Sequence, residues 1–167
     1  MNKRRLLNIK FFKKLLPSII MLLLIGIDQF TKFLSVTYLK GIDEVSVLCE
    51  VLVLKYCENT GAAFSMFQDN KFILVGLTSL FLLIGLFAVF SGKIKNHFLI
   101  YTISAVVAGG IGNLIDRISL GYVVDFIYIK IIDFAIFNFA DMCITLGGIA
   151  MVVYILFFDK EKKNAED

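Results

Sequence analysis

The stretch FILVGLTSLFLLIGLFAVF occupies residues 72–90, and its 19 residues include no charged side chain. A helix rises about 1.5 Å per residue, so about 20 apolar residues suffice to cross the hydrocarbon core of a bilayer. A helix also satisfies its own backbone hydrogen bonds where no water is available to do so. The stretch therefore predicts a membrane-spanning helix.

Three further stretches of the chain are long and apolar enough to span a bilayer. They run from about residue 17 to 34, from 98 to 115 and from about 136 to 158. Of the 167 residues, 59% are hydrophobic and 19% are charged, which is far more apolar surface than a small water-soluble core could bury. We therefore predict an all-α integral membrane protein with four transmembrane helices, built as a single membrane-embedded domain over residues 1–167.

The distribution of lysine and arginine predicts how these helices are oriented. Basic residues precede the first span, lie in the short link between spans two and three, and follow span four: Lys3, Arg4, Arg5, Lys10, Lys13, Lys14, Lys93, Lys95, Lys160, Lys162 and Lys163. Because cytoplasmic segments carry an excess of basic residues, these three segments are expected in the cytoplasm. Both termini are then cytoplasmic, as a basic N-terminus at 1–14 and a charged tail at 159–167. This topology signal accounts for the net charge of +3 without nucleic acid as a partner.

Two longer segments, 35–71 and 116–135, are expected on the opposite, outer side of the membrane. Apolar and β-branched runs at 45–48, 51–56 and 122–132 favour short strands, which predicts a small β-rich element on the outer face. Cys49 and Cys57 fall in the first segment, where they either pair in an oxidising compartment or remain free thiols. Cys143 falls within span four.

Ionisable residues close to the spans gather at one depth, near the predicted outer interface. Asp28 and Lys32 lie toward the outer end of span one and share a helix face at a spacing of i and i+4. They are expected to pair, either as a structural ion pair or as support for a neighbouring site. The sequence DQFTK at 28–32 also offers no small-residue cleavage site, so span one is expected to be retained rather than removed as a signal peptide.

Asp125 and Asp141 form the sharpest candidate pair. The chain leaves the bilayer after span three and re-enters it at span four, which allows the two carboxylates to meet. Two close carboxylates share a proton, and such a pair can hydrolyse a peptide bond as general base and general acid. The alternative is that each aspartate only caps or anchors a helix end, as the helix dipole favours for Asp141. Asp133 lies between them and is expected to face water.

Two small-residue segments accompany this pair. The segment AGGIGN at 108–113 either packs helices closely or admits a ligand, and Asp116 and Arg117 follow it at the interface. There, Asn113, Asp116 and Arg117 are candidates for hydrogen bonds to a bound peptide. The segment NTGAAFS at 59–65 predicts a turn close to span two.

Other chemistries fit the sequence less well. The one histidine, His97, lies in the predicted cytoplasmic link, so no Ser-His or Cys-His system forms with the polar cluster. A pair of Ser65 and Lys32 would require Lys32 to be released from Asp28. No metal and no cofactor are expected, because histidine and cysteine clusters are lacking and an apolar interface offers few waters to complete a Mg²⁺ or Ca²⁺ shell. A transporter with a carboxylate proton relay and a non-catalytic lipid or lipoprotein binder remain as alternatives from other classes.

Five motifs, taken in order, resemble those of the lipoprotein signal peptidase family, the bacterial type II signal peptidases. They are DQxxK at 28–32, NTGAAF at 59–64, GGIGNLIDR at 109–117, GYVVDF at 121–126 and FNFAD at 137–141. The resemblance extends from span one to span four. It implies an aspartic endopeptidase of the bacterial cytoplasmic (inner) membrane, with its active site near the outer face. Such an enzyme removes the signal peptide from prolipoproteins by cutting just before a cysteine that carries a diacylglyceryl group. The implied partners are these prolipoproteins and membrane lipid, and we expect a monomer.

The resemblance also implies roles for individual residues. Asp125 and Asp141 correspond to the catalytic dyad, and Asp28 and Lys32 to supports of the site's architecture. Asp116 belongs to a motif but not to the catalytic pair. The residues that would contact the substrate or support the dyad are Asn59, Gly109, Asn113, Arg117 and Asn138.

The sequence departs from the family's pattern at a few points. Ala108 stands where glycine is common in the family, and Gly110 stands where alanine is common. The link of 15 residues between Asp125 and Asp141 is also compact. The compact link concerns how a substrate is enclosed rather than the chemistry.

Overall fold

A computed structural model of the chain describes residues 3–49, 51–61 and 71–158. Predictions that concern residues 62–65 of the small-residue turn and the charged tail at 159–167 lie outside the described residues. The elements follow in the order α1 (Lys3–Tyr38), β1 (Val45–Leu48), β2 (Leu52–Asn59), α2 (Lys71–Phe90), α3 (His97–Ser119), β3 (Val123–Ile129) and α4 (Phe139–Phe157).

The four predicted spans are present as helices. Within the described residues, four helices are long and apolar enough to cross a membrane, which confirms the predicted number. Two of them continue beyond their apolar stretches, since α1 extends to Tyr38 and α3 extends through Asp116 to Ser119. At the end of α3, Asp116 pairs with Lys32 and Arg117 donates to the backbone oxygen of Gly61, which offsets the penalty that hydropathy alone assigns to these residues. α4 begins at Phe139, three residues later than predicted, because Asn138 caps it.

The helices pack around α3, which contacts α1, α2 and α4. A small apolar core joins Met21 of α1, Leu82 of α2, and Val107 and Ala108 of α3. Many other apolar side chains of the helices face outward, including Leu22 with 70% of its surface exposed. Such outward-facing apolar surface is expected for a bundle whose surrounding solvent is lipid.

The three strands form one antiparallel sheet in the order β1-β2-β3, which confirms the strands predicted from the three apolar runs. The sheet lies at the end of the bundle where α1 and α3 end and α4 begins, and we call this the sheet end. In the pairing of β2 with β3, Cys57 stands opposite Asp125 and Asn59 stands opposite Val123. This register places the end of β2 beside the start of β3, directly after the end of α3.

The link from β3 to α4 returns the chain to the strand it has just left. A single 3-10 turn covers Lys130–Ile132, and Asp133 then adopts a left-handed conformation with a φ of 48°. The chain folds back so that Phe137 bridges to Ile127 of β3. The start of α4 is thereby held beside β3. Asp133 is exposed, as predicted, and its carboxylate accepts a hydrogen bond of 2.6 Å from the Tyr128 hydroxyl.

The three cysteines, Cys49, Cys57 and Cys143, are free thiols. Of the two states that the sequence left open for Cys49 and Cys57, the structure therefore has the unpaired one.

Candidate functional site

The polar residues singled out in the sequence gather at the sheet end of the bundle. They come from α1, from the last two turns of α3, from β2 and β3, and from the start of α4. The side chains that hydrogen bonds and ion pairs bring together there are Asp28, Lys32, Asn59, Asn113, Asp116, Arg117, Asp125, Asn138 and Asp141.

Asp125 lies in the middle of β3 and is 1% exposed. Its Oδ2 accepts a hydrogen bond of 2.8 Å from Nδ2 of Asn59, and its Oδ1 accepts one of 2.6 Å from Nδ2 of Asn138. Burial raises the pKa of Asp125 to about 6, and the negative charge of Asp141 adds to the rise, although the two amide donors oppose it. The carboxyl group of Asp125 therefore exchanges its proton close to neutral pH.

Asn138 is fully buried and connects both aspartates. As the N-cap of α4, its Oδ1 accepts a hydrogen bond of 3.0 Å from the backbone N–H of Asp141. In return, Oδ2 of Asp141 accepts one of 3.1 Å from the backbone N–H of Asn138, which completes a capping box. Asp141 thus takes part in the cap of α4, as the alternative expected for it, but the cap occupies only one of its two carboxylate oxygens.

The other oxygen of Asp141 is held by Asn113 of α3. Nδ2 of Asn113 donates to Oδ1 of Asp141 at 2.8 Å. Oδ1 of Asn113 accepts from Lys32 at 2.9 Å and from Nδ2 of Asn138 at 3.1 Å. Because an ammonium group can only donate, Lys32 fixes the amide of Asn113 with its N–H groups toward Asp141.

Lys32 forms the predicted ion pair with Asp28, with Nζ 2.9 Å from Oδ2. It forms a second pair with Asp116 of α3, with Nζ 3.0 Å from Oδ2. All three residues are at most 3% exposed. Lys32 is thus held by Asp28, whereas a pair with Ser65 would require its release. Ser65 itself lies outside the described residues.

Arg117 connects the end of α3 to the turn after β2. Its Nη2 donates to the backbone oxygen of Gly61 at 3.1 Å, and the backbone N–H of Gly61 donates to Oδ1 of Asn59 at 3.0 Å. Nε of Arg117 is buried and has no hydrogen-bond partner among the residues that the structure describes.

A cavity of about 660 Å³ opens beside the two aspartates. Asn59, Asn113, Arg117, Asp125 and Asp141 line one part of it. The remaining wall is mostly apolar and comes from α2, α3, α4 and the link before α4, with Thr78, Gly110, Phe134, Met142, Ile144 and Leu146 among its residues. An apolar wall with a few converging polar groups is typical of a ligand site. The lining suits an apolar ligand that presents a polar group to the aspartates.

Two glycines of α3 allow the close approaches on which the site depends. A Cβ atom on Gly109 would lie 2.4 Å from the backbone oxygen of Ala140, and one on Gly112 would lie 2.3 Å from Oδ2 of Asp28. Gly109 therefore lets α4 pack against α3 next to Asp141. It does not line the cavity, so of the two roles expected from the resemblance, support of the site fits its position.

Sequence reasoning missed the parts played by Asp116 and Gln29. Asp116 is the second partner of Lys32. Gln29 lies between the two carboxylates, with Nε2 3.2 Å from Oδ2 of Asp28 and 3.1 Å from Oδ1 of Asp116. Helical spacing carries a signal for Asp116, because it follows Asn113 by three residues and so shares its helix face. No local pattern indicates that this face meets α1.

His97 is the first residue of α3, whereas the polar cluster surrounds the last turns of the same helix. The distance along the helix axis is roughly 30 Å, so the prediction that histidine takes no part in the cluster is confirmed. Within the described ranges, no group of three or more His, Cys, Asp or Glu side chains is arranged to hold a metal ion.

Comparison with known proteins gives consistent results. A family model described as Signal peptidase (SPase) II matches residues 20–157. A lipoprotein signal peptidase of Streptococcus thermophilus (strain CNRZ 1066) is 37% identical over 143 residues, which are 86% of this chain and 94% of that protein. One of Clostridioides difficile (strain 630) is 34% identical over 149 residues, covering 89% of this chain and all of that protein.

Two solved structures share the fold of this chain. A bacterial membrane enzyme determined by the in meso method at 2.3 Å resolution superposes with a TM-score of 0.80 and 31% identity, covering 89% of this chain and 90% of that one. A second structure of this description, at 1.9 Å resolution, gives a TM-score of 0.77 at 31% identity, with 85% and 93% of the two chains covered.

Proposed function

Because this chain belongs to the signal peptidase II family, we propose that it removes the signal peptide from diacylglyceryl-modified prolipoproteins, cutting just before the lipidated cysteine. Family membership makes the chain a peptidase, and its four apolar helices make it a multi-pass membrane protein. Its relatives are named for lipoproteins, which supports this substrate class. The observation that carries the proposal is that Asp125 and Asp141 line one cavity and are joined through Asn138 and Asn113.

We assign the chemistry to these two aspartates. One carboxylate removes a proton from a water molecule as the water oxygen attacks the carbonyl carbon of the scissile bond. The other aspartate, in its protonated form, gives its proton to the carbonyl oxygen. When the tetrahedral intermediate breaks down, the carbon–nitrogen bond is cleaved and the nitrogen takes the proton that the first aspartate had removed from water. The carbonyl group forms again as the second aspartate takes back its proton from the hydroxyl group. A pKa of about 6 for Asp125 suits this exchange of protons near neutral pH.

The neighbouring residues support and position this pair in the proposal. Asn59, Asn113 and Asn138 donate to the carboxylates and hold them in place. Arg117 lines the cavity, where its guanidinium group could bind a carbonyl group of the substrate. Holding the reacting groups in position in this way lowers the barrier by reducing the entropy that must be lost.

The cavity also supports a substrate with large apolar parts. A signal helix and two acyl chains are apolar, and the wall built by α2, α4 and the link before α4 matches them. In the proposed orientation, the sheet end faces the outer side of the cytoplasmic membrane and both termini are in the cytoplasm. The basic residues near the N-terminus and between α2 and α3 support this orientation. We propose a monomer, since one chain supplies both aspartates.

Incubation of the purified protein with a diacylglyceryl-modified preprotein and, separately, with its unlipidated precursor tests the proposal. We expect a mass shift for the first substrate alone. Asp125→Asn and Asp141→Asn should each reduce cleavage by a factor of at least about 100, given the typical contribution of a general acid or base. Asp133→Asn, which changes an exposed carboxylate of the same link, should cleave like the wild type. Near wild-type turnover by either dyad variant would contradict the assignment.

The same preparation separates the alternatives from other classes. A proton-conducting transporter would produce a pH change in liposomes without substrate. A non-catalytic binder would retain the lipidated preprotein without cutting it. The polar side chains described above gather at one end of the bundle rather than along its length, which favours the peptidase over the transporter.

A further inference from the structure

Lys32, Asp28 and Asp116 are buried beside the two candidate catalytic aspartates and contact neither of them directly. Lys32 bridges the two carboxylates, at 2.9 Å from Asp28 and 3.0 Å from Asp116. The two carboxylates come from different helices, Asp28 from α1 and Asp116 from α3. A single ammonium group therefore fixes the distance between these two helices at the depth of the site.

Each of the two carboxylates also accepts a hydrogen bond from a backbone N–H, and the two donors occupy corresponding positions in the chain. Oδ1 of Asp28 accepts a hydrogen bond of 2.9 Å from the backbone N–H of Ala140, the residue before Asp141. Oδ2 of Asp116 accepts one of 3.1 Å from the backbone N–H of Val124, the residue before Asp125. Each carboxylate thus holds the main chain one residue ahead of one candidate catalytic aspartate.

We propose that Asp28, Lys32 and Asp116 form a positioning unit that sets the spacing of the catalytic pair through the amides of Ala140 and Val124. The proposal deepens the proposed function and rests on it. Asp28 positions Asp141, Asp116 positions Asp125, and Lys32 fixes the two carboxylates relative to one another. Lys32 adds a third restraint through Asn113, whose amide donates to Asp141.

The chemistry of the contacts explains why charged groups are used. A buried backbone N–H needs an acceptor, and an ionised carboxylate is a stronger acceptor than a neutral oxygen. Two carboxylates at this depth require a cation, and the three N–H bonds of one lysine suffice for both of them and for Asn113. Gln29 occupies the remaining gap, where it donates toward both carboxylates and toward the backbone oxygen of Gly112. The polar groups of the unit therefore have several hydrogen-bond partners, which restrict the movement of its side chains.

The test uses Asp116, because its replacement leaves the buried ion pair of Asp28 and Lys32 in place. Asp116→Ala removes the acceptor for Val124, whereas Asp116→Asn keeps one oxygen that can accept the same hydrogen bond. We expect kcat to fall at least about tenfold in Asp116→Ala, since small displacements of a reacting group have large effects on rate. Asp116→Asn should retain more of the wild-type kcat. KM should change little in both variants, because Asp116 does not line the cavity.

Loss of stability alone would also lower activity, so a matched control is needed. Asn96 caps the opposite end of α3, where its side chain accepts from the backbone N–H of Leu99 at 3.2 Å. Asn96→Ala destabilises the same helix without touching the site. Each variant is assayed at a temperature the same number of degrees below its own Tm. Under that condition Asn96→Ala should keep its kcat, whereas Asp116→Ala should not.

Hydrogen exchange supplies a measurement that does not depend on activity. The amide of Val124 should exchange faster in Asp116→Ala than in the wild type and in Asn96→Ala. If Asp116→Ala shows neither faster exchange at Val124 nor a lower kcat than Asn96→Ala, the positioning role is wrong. Equal kcat values for Asp116→Asn and Asp116→Ala would also overturn it. The proposed function fails instead if the wild type does not cut the lipidated preprotein, or if Asp125→Asn cuts it as fast as the wild type. In that case the rate of hydrogen exchange at the Val124 amide still decides whether Asp116 holds β3.

Discussion

The side-chain amide of Asn138 donates to Asp125 at 2.6 Å, while its side-chain oxygen accepts a hydrogen bond from the backbone N–H of Asp141 in the first turn of α4. One buried residue thus performs two tasks that substitutions can separate. The cap stabilises α4, and the amide holds the carboxylate of β3. Each task depends on a different atom of the same side chain.

Asn138→Ser and Asn138→Ala distinguish the cap from the support of Asp125. Serine is a good N-cap but has no N–H group for Asp125. We expect the free energy of unfolding of Asn138→Ser to stay closer to that of the wild type, and that of Asn138→Ala to fall by about 0.5–2 kcal/mol more. Cleavage should drop in both variants. Thermal denaturation and the cleavage assay measure the two effects, and normal activity in Asn138→Ser would show that Asp125 needs no donor from Asn138.

The pKa of Asp125 predicts how stability depends on pH. Burial raises this pKa from 3.8 to about 6 in the folded protein, so the folded state binds the proton more tightly than the unfolded state. The resulting stabilisation is fully present below about pH 4 and is lost as the pH rises through 6. Its upper limit is about 3 kcal/mol, at 1.36 kcal/mol for each pH unit.

Asp125→Asn removes the titrating group and with it this part of the pH dependence. The Tm of the variant relative to the wild type should therefore increase between pH 4 and pH 7. Asp133→Asn serves as the control, because Asp133 is exposed and its variant should show no such trend. A constant difference in Tm between Asp125→Asn and the wild type across this range would contradict the raised pKa.

Gly112 is predicted to tolerate no side chain. A Cβ atom there would stand 2.3 Å from Oδ2 of Asp28, which is itself fixed by Lys32 and by the amide of Ala140. Gly112→Ala should therefore cost about 1–3 kcal/mol, as overpacking of a rigid site typically does. Gly148→Ala in α4 is the matched control, since nothing lies within 4 Å of its Cβ position. Its stability should equal or slightly exceed that of the wild type, and equal losses in both variants would mean that the Asp28 contact is not rigid.

Thr78 tests whether the apolar cavity receives the substrate. Thr78 of α2 lines the cavity, whereas its neighbour Leu77 is exposed on the bundle surface and does not line it. Thr78→Trp should raise KM for the lipidated preprotein several-fold, because the indole occupies space that the substrate needs. Leu77→Trp should leave KM unchanged. Michaelis–Menten analysis of both variants measures these effects. An unchanged KM in Thr78→Trp would mean that the substrate binds elsewhere.

Cys49 tests the proposed orientation of the protein in the membrane. It is exposed in the turn between β1 and β2 and should therefore react from outside the cell. In a Cys57→Ser, Cys143→Ser background, a membrane-impermeant maleimide is expected to label Cys49 in spheroplasts. A Lys95→Cys variant that also carries Cys49→Ser should be labelled only after the membrane is permeabilised. The opposite pattern would reverse the topology.

The sequence determined those features that depend on local spacing and composition. The charge-free stretch at 72–90 and its three counterparts specified four spans, because hydrocarbon selects helices of about 20 apolar residues. The ion pair of Asp28 and Lys32 followed from their separation by four residues on one helix. The runs of β-branched residues around 45–48, 51–56 and 122–132 gave the strands with small errors at their ends.

Only the tertiary structure decided which polar residues share partners. The packing of helices and strands decides three of these contacts. It brings Lys32 to Asp116, lets Asn138 connect Asp125 with the start of α4, and brings Asn59 to Asp125. Helical and strand periodicities specify the face on which a side chain lies, but they contain no information about which other element that face will meet. The same limit explains why α3 continues beyond its predicted end. Hydropathy assigns a full penalty to polar residues such as Asp116, and that penalty disappears only when partners from other parts of the chain are in place.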